Sequence, residues 1–314
     1  MADSARHWSR VTESGTVLGM RVLFGIYRVF GRWAFRVFLF PVIGYFYLTN
    51  KRARQASKTY LHKLRETYPE IPPQSSFKHL WMFGEMVLDK LLVWMEHIRF
   101  SNIRYHSDGV FEATRQKQQG GLIVISHLGN TEICNALAYQ QGDIKLTVLV
   151  YNQHVEKFNA LMKQVGAMEQ VEVYQVTDMS PAFAMMMAER VEAGEFVVIA
   201  GDRTPVTGQQ RTSTVNFLGS PAAFPQGAFI LASLLKCPVF LMFCLKTQGR
   251  YDLHIECFSE QLKLNRQQRN ILLDKTVQDY ADRLADYARR APLQWFNFYP
   301  FWEVTTSNQV ENKE

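Results

Sequence analysis

The chain has 314 residues, with Lys+Arg exceeding Asp+Glu by 35 − 29 = 6 and a sequence pI near 9.1. That length suits one α/β domain with an appendage, and the basic balance suits anionic membrane surfaces, acidic carrier proteins or phosphorylated substrates. Nucleic acid is not expected as a partner, because no zinc-finger spacing, RNA-binding signature or Lys/Arg block is present. The four cysteines (134, 237, 244 and 257) form no CxxC pair and sit in or beside apolar runs, as reduced cytoplasmic cysteines do.

Residues 1–16 are polar and mixed in charge, with no cleavable signal evident. From Val17 to Leu48 the chain turns apolar and aromatic, and its charged residues are Arg21, Arg28, Arg32 and Arg36. At 100° per residue these four fall within an arc of about 80°, a single basic stripe. The uncharged stretch Val37–Asn50 has 14 residues and contains Pro41, short of the ~20 that span a bilayer. The segment 17–50 therefore predicts a membrane-anchoring helix lying in the interface. Its arginines would sit at headgroups, with Leu23, Phe24, Phe30, Trp33 and Phe35 among acyl chains. Lys51, Arg52 and Arg54 extend the basic side, which the positive-inside rule keeps cytoplasmic. An amphipathic helix packed on the protein's own core, and a tilted span, are the alternatives.

Residues 51–70 predict a helix ended by Pro69, Pro72 and Pro73, and Phe77–Ile98 predict a second. The globular core begins near Ile103. Strands are expected at Leu122–Ile125, Lys145–Tyr151, Val171–Val176, Phe196–Ala200, Thr214–Phe217, Val239–Leu245 and Leu253–Cys257. Helices are expected at Thr131–Gln140, Val155–Val165, Pro181–Ala193, Gln226–Leu235 and about Arg266–Arg290. This alternation predicts an α/β fold whose mixed, largely parallel sheet is covered by helices on both faces. It occupies residues 51–304, followed by a polar, disordered tail over 305–314.

The chemistry gathers at Gly121-Leu-Ile-Val-Ile-Ser-His-Leu-Gly-Asn-Thr-Glu132. A buried-strand run ends at His127, and Glu132 follows after four residues. In a continuous helix the two side chains would diverge by about 140°, so they meet only if Leu128-Gly129-Asn130 turns. Gly129 tolerates positive φ, and Asn130 suits the N-cap of a helix beginning at Thr131. The expectation is a carboxylate on one imidazole nitrogen with the other nitrogen left as a base, and no protein nucleophile beside it.

Two further segments are candidates for substrate binding. Gly201-Asp-Arg-Thr-Pro205 follows a strand, where open α/β sheets bind ligands. There Arg203 could hold a phosphate or carboxylate with Asp202 fixing its orientation, or the two could form a surface pair. The segment Phe217–Ala228 carries Gly219, Phe224 and Gly227 just before an apolar helix. Amides at that helix start could bind an anion, with Ala222 and Ala223 leaving room for a chain, or the segment could be an ordinary rigid loop. Met185-Met186-Met187 is expected to be core packing, and His154 a loop histidine. The block Trp295–Trp302 is open between core closure and membrane contact. No GxSxG elbow is present, so a serine hydrolase is not expected; no HExxH or paired Cys/His spacing points to zinc, so no metal is expected, and no Gly-rich phosphate loop appears.

Taken in order, the His-x4-Glu turn, the Gly-Asp-Arg turn after a strand, and Phe-Leu-Gly-x-Pro…Phe-Pro-x-Gly before a helix resemble one family. The chain is similar, over roughly residues 15–302, to bacterial acyltransferases of the lipid A late-acylation (lauroyl/myristoyl) type, within the lysophospholipid acyltransferase superfamily. The resemblance implies that His127 deprotonates an acceptor hydroxyl, Glu132 orients it, and Arg203 holds phosphate or a developing oxyanion. Asp202, Asn130, Gly219, Phe224 and Gly227 are expected on the substrate-binding side. The implied co-substrate is a fatty acyl thioester on acyl carrier protein, or coenzyme A, with no further cofactor. The implied location is the cytoplasmic face of the bacterial inner membrane, where a lipid or saccharolipid is acylated. The form Gly-Asp-Arg-Thr-Pro-Val and the ending Trp-Phe-Asn-Phe-Tyr-Pro-Phe-Trp resemble divergent members, so the acceptor stays open. A non-catalytic lipid- or carrier-binding protein and an acyl thioesterase are the competing readings.

Overall fold

The computed structural model describes residues 16–94, 98, 101, 103–133, 144–150, 171–175, 180–203 and 211–303. The expectations for 1–15, Cys134, His154, Val155–Val165, Pro205 and the tail lie outside the described residues.

Three helices come first: α1 (Thr16–Thr49), α2 (Lys51–Thr67) and α3 (Ser76–Trp94). Asn50 separates the first two and caps α2, its side chain accepting from Ala53 N at 2.9 Å. The sheet then forms from β1 (Ile103–Ser107), β2 (Gly121–Ile125), β3 (Leu146–Val150), β4 (Val171–Gln175), β5 (Phe196–Ala200), β8 (Val239–Thr247) and β9 (Arg250–Ser259), in the order β1-β9-β8-β2-β5-β3-β4. From β8 to β4 all neighbours are parallel, while β8–β9 is antiparallel. The expected mixed, largely parallel sheet is therefore present. Helices α4 (Val110–Gln116), α5 (Pro181–Glu192), α6 (Gly227–Leu235) and α7 (Arg269–Arg290) complete the described elements.

The period-2 geometry of a strand explains the two-sided core. On β2, Leu122 and Val124 point into a cluster with Ala232, Val277 and Tyr280, whereas Ile123 points into one with Met86, Phe111 and Phe240. Strands covered on both faces read as continuous apolar runs, which is why β2, β5 and β8 were legible in sequence. The short strand β1 was missed because only its first residue is buried.

The segment 217–228 is not a loop. Thr212–Phe217 (β6) and Ser220–Pro225 (β7) form an antiparallel hairpin apart from the main sheet, with Phe217 opposite Ser220. Leu218 and Gly219 make its two-residue turn with φ of 51° and 72°, the left-handed pair that tight hairpins require. Proline on both sides of Ala222-Ala223 disguised β7, but a two-stranded ribbon tolerates it because every strand there is an edge.

Helix α1 is broken at Gly31, where φ is 76°, and it does not lie with all its arginines outward. Arg32 pairs with Glu85 and Asp89 of α3, and Arg36 Nε reaches Glu85 Oε1 at 2.8 Å. Phe35, assigned to acyl chains from sequence, is instead buried with Leu39 and Ile43 against Leu80, Leu88 and Leu92. The physical reason is that α3 offers two carboxylates beside an apolar stripe, which satisfies both the charges and the rings. The opposite face stays exposed and apolar: Phe30, Trp33, Val37, Phe38, Phe40, Tyr45 and Leu48, with Trp33 76% exposed. Val29–Thr49 is 21 residues with mean hydropathy 1.3, long and apolar enough by composition to cross a membrane.

Candidate active site

The site lies beyond the carboxyl ends of β2 and β5, adjacent parallel strands paired in register at Ile125–Ala200. His127 stands two residues past the end of one strand and Asp202 two past the other, so the register carries both to the same height. Gly201 N donates to Ile125 O at 2.9 Å and closes the gap between the strand ends.

The carboxylate that holds His127 is Asp202, not Glu132. Asp202 Oδ1 lies 2.7 Å from His127 Nδ1, and Oδ2 accepts from His127 N at 2.8 Å. Oδ2 also accepts from Trp295 Nε1 at 3.0 Å and Asn297 Nδ2 at 3.3 Å. Asp202 is fully buried, whereas the His127 side chain is 33% exposed. Burial opposes ionisation of Asp202, but the charge and hydrogen bonds of His127, with Arg203, hold its pKa below the usual value. Burial lowers the pKa of His127, the Arg203 charge adds to this, and Asp202 works against it. A carboxylate accepting at Nδ1 fixes the tautomer with the proton on Nδ1, so Nε2 is the basic nitrogen. His127 has no other side-chain partner among the described residues.

The turn after His127 is a backbone device. Gly129 adopts φ 75° and forms a bridge to Cys244 of β8, where an added β carbon would lie 2.0 Å from Cys244 O. Gly129 N donates to Gln294 O at 2.8 Å and Asn130 N to Cys244 O at 2.8 Å. Asn130 does stand just before the helical residues Thr131–Ile133, but its side chain does not cap them. It is buried and donates from Nδ2 to Met86 O at 3.3 Å. Glu132 Oε2 is buried without a hydrogen-bond partner among the described residues.

Arg203 carries the fork expected of it but spends it within the protein. Nε donates to Asn297 Oδ1 at 2.6 Å, Nη2 donates to Phe296 O at 2.8 Å, and the guanidinium lies over the Tyr299 ring at 5.8 Å. Asp202 therefore orients His127, where sequence reasoning had it orienting Arg203. Burial lowers the Arg203 pKa from its ordinary value, which leaves a guanidinium charged at neutral pH.

The closing segment Gln294–Asn297 was recognised as a block but not as part of the site. Trp295 pairs with Leu128 in an isolated bridge, and Phe296 N donates to His127 O at 2.9 Å. Gln294 exchanges two bonds with the backbone of Lys246, at 2.9 and 2.8 Å. Trp295 is wholly buried, so this part of the block closes the core. His79 of α3 supports it from behind. The carbonyl of Trp295 can only accept, so Nε2 of His79 carries the proton across 3.0 Å, and Nδ1 accepts from the Ser57 hydroxyl at 2.9 Å. Burial pushes the His79 pKa down to about 3.

The remaining candidates lie elsewhere. Gly219 is at the hairpin tip near α2, where Lys63 Nζ donates to Ser220 Oγ at 2.6 Å. Phe224 and Ala222 are fully buried in the core cluster that holds Phe217, Tyr280 and Phe301. Gly227 begins α6. Nothing in the described structure brings these three against His127. Cys237 and Cys244 are buried, reduced thiols.

The arrangement is a base with its orienting carboxylate, part-exposed, with Nε2 unbonded among the described residues and the Arg203 charge acting on the ring. A family model of bacterial lipid A biosynthesis acyltransferases matches residues 90–303, which span β1 to the closing segment and hold His127, Asp202, Arg203 and Asn297. No curated protein matches the chain. By that match, the chain belongs to the bacterial lipid A biosynthesis acyltransferase family and is an acyltransferase.

Proposed function

We propose that the protein transfers a fatty acyl chain from acyl carrier protein, or coenzyme A, to a hydroxyl of a lipid or saccharolipid at the inner-membrane surface. The observation that carries this reading is the Asp202–His127 pair, whose Nε2 has no protein hydroxyl or thiol bonded to it among the described residues. A base without a protein nucleophile takes its proton from a substrate. In this reading Nε2 accepts the proton of the acceptor hydroxyl as its oxygen attacks the thioester carbonyl. The C–O bond forms, the C–S bond breaks, and the departing thiolate takes the proton back from the imidazolium. Asp202 stabilises that imidazolium without itself being protonated.

Glu132 is read as a substrate contact, because its Oε2 is buried without a hydrogen-bond partner among the described residues. A buried carboxylate oxygen without a donor costs about 1–3 kcal/mol or more, and a hydroxyl or amide of the acceptor would satisfy it. The apolar outer face of α1 supports seating at a membrane, with Lys51, Arg52 and Arg54 at the headgroup level.

The test is product analysis with purified full-length protein, a radiolabelled acyl thioester of acyl carrier protein, and a hydroxylated saccharolipid acceptor in mixed micelles. Label in the lipid is the expected result. Label released only as free fatty acid would show a thioesterase instead.

A further inference from the structure

We infer that Lys90 positions substrate by receiving a phosphate group at the mouth of the His127 site, an assignment that rests on the reading of His127 as the base. Helix α3 turns one face toward the catalytic segments. His79 donates to Trp295 O at 3.0 Å, the Phe83 ring meets Phe296 at 5.4 Å, and Met86 O accepts from Asn130 Nδ2 at 3.3 Å. These residues stand at i, i+4 and i+7. Lys90 at i+11 falls within about 20° of their mean direction, one turn further along the same face.

The neighbouring cations are already engaged. Lys246 Nζ lies 2.5 Å from Asp89 Oδ2, Arg32 also pairs with Asp89, and Arg203 is held by Asn297 and Phe296. Lys90 is part-exposed and has no hydrogen bond or ion pair among the described residues. Its charge is felt at His127, where it adds to the lowering of the imidazole pKa. Arg203 and Lys90 thus both act on the imidazole electrostatically, while Asp202 is shut away from solvent. An ammonium with three donors and no protein acceptor, facing a site for thioester and lipid, suits a phosphate oxygen.

That phosphate has two sources: the phosphodiester of the carrier's thioester arm, or a phosphate on the lipid acceptor. Steady-state kinetics of the full-length wild type, Lys90→Ala and Lys90→Arg separate them. The donor arm compares lauroyl acyl carrier protein with lauroyl N-acetylcysteamine, which has no phosphate. The acceptor arm compares a phosphorylated glucosamine saccharolipid with its dephosphorylated form. Lys90→Ala is expected to lower kcat/KM by about 10- to 100-fold through KM, in one arm only and only with the phosphate-bearing substrate. Lys90→Arg is expected to restore most of it. Equal loss with phosphate-free substrates, or unchanged KM in both arms, overturns the assignment. A wild type that acylates no hydroxyl at all refutes the reading of His127 and this proposal with it.

Discussion

Asp202 grips His127 at two points, the ring nitrogen Nδ1 at 2.7 Å and the backbone N at 2.8 Å, so that ring and main chain are fixed by one carboxylate. An amide at position 202 keeps the shape but loses the charge that stabilises the imidazolium. Asp202→Asn is expected to lower turnover by about 10²- to 10⁴-fold with folding retained, comparable to His127→Ala. Glu132→Gln should also lower turnover while leaving the acid limb of the pH–rate profile in place, since no bond joins Glu132 to His127. An acid limb displaced by Glu132→Gln but not by Asp202→Asn would reverse the two roles.

The pH profile itself has a sign set by the neighbours. His127 must be neutral to act, and burial with Arg203 lowers its pKa. The acid limb of the profile should therefore lie below the ordinary imidazole value of about 6.5. Arg203→Ala removes a charge that depresses the imidazole pKa, so the limb should move up. Arg203→Lys keeps the charge and leaves the limb in place, yet it cannot make both bonds to Asn297 and Phe296. Thermal or denaturant unfolding should show both variants destabilised by about 1–3 kcal/mol. Wild-type stability in Arg203→Lys would show that the fork is dispensable.

His79 gives stability its own pH dependence. Its folded pKa of about 3 lies below the ordinary 6.5, so the unfolded chain binds the proton more readily. Stability is complete above about pH 6.5 and is lost as pH falls from there toward 3, by on the order of a few kcal/mol. Denaturant unfolding at pH 7 and 5 should show this loss. His79→Gln, which keeps a polar side chain but does not titrate, should flatten that part of the curve.

Gly129→Ala should be among the most damaging single substitutions. The residue holds φ 75°, and its β carbon would meet Cys244 O at 2.0 Å. Backbone displacement there moves the residue next but one to the base, so loss of soluble folded protein, or destabilisation by several kcal/mol, is expected. Wild-type melting with normal turnover would mean that the turn can relax.

Removing residues 1–50 is a poor test of the anchor, because Phe35, Leu39 and Ile43 cover Leu80, Leu88 and Leu92, each buried side chain contributing roughly 1.5–3 kcal/mol. Charges on the outer face are cleaner. Trp33→Glu with Phe38→Glu should release the protein from sedimenting membranes and leave the core folded by circular dichroism. Variants that still pellet would place the membrane contact away from this face.

What the sequence determined by itself was local, and even there β1, β7 and the Asn130 cap escaped it. Continuous apolar runs marked β2, β5 and β8, because strands covered on both faces need apolar residues at every position. Gly129 and Asn130 announced a turn after His127, and His127 at a strand end announced a base. The partner of that base was not local. Asp202 lies 75 residues away, and only the parallel register Ile125–Ala200 brings the two strand ends together. Glu132 was nearer in sequence and so took the role on spacing alone. The same holds for Asn297 and Trp295, which reach Asp202 across more than 90 residues, and for Arg32 and Arg36, whose stripe looked outward until α3 supplied Glu85 and Asp89. Periodicity reports which face of an element is apolar. Which element meets that face, and which carboxylate meets a buried charge, is decided by how the strands register and the helices pack.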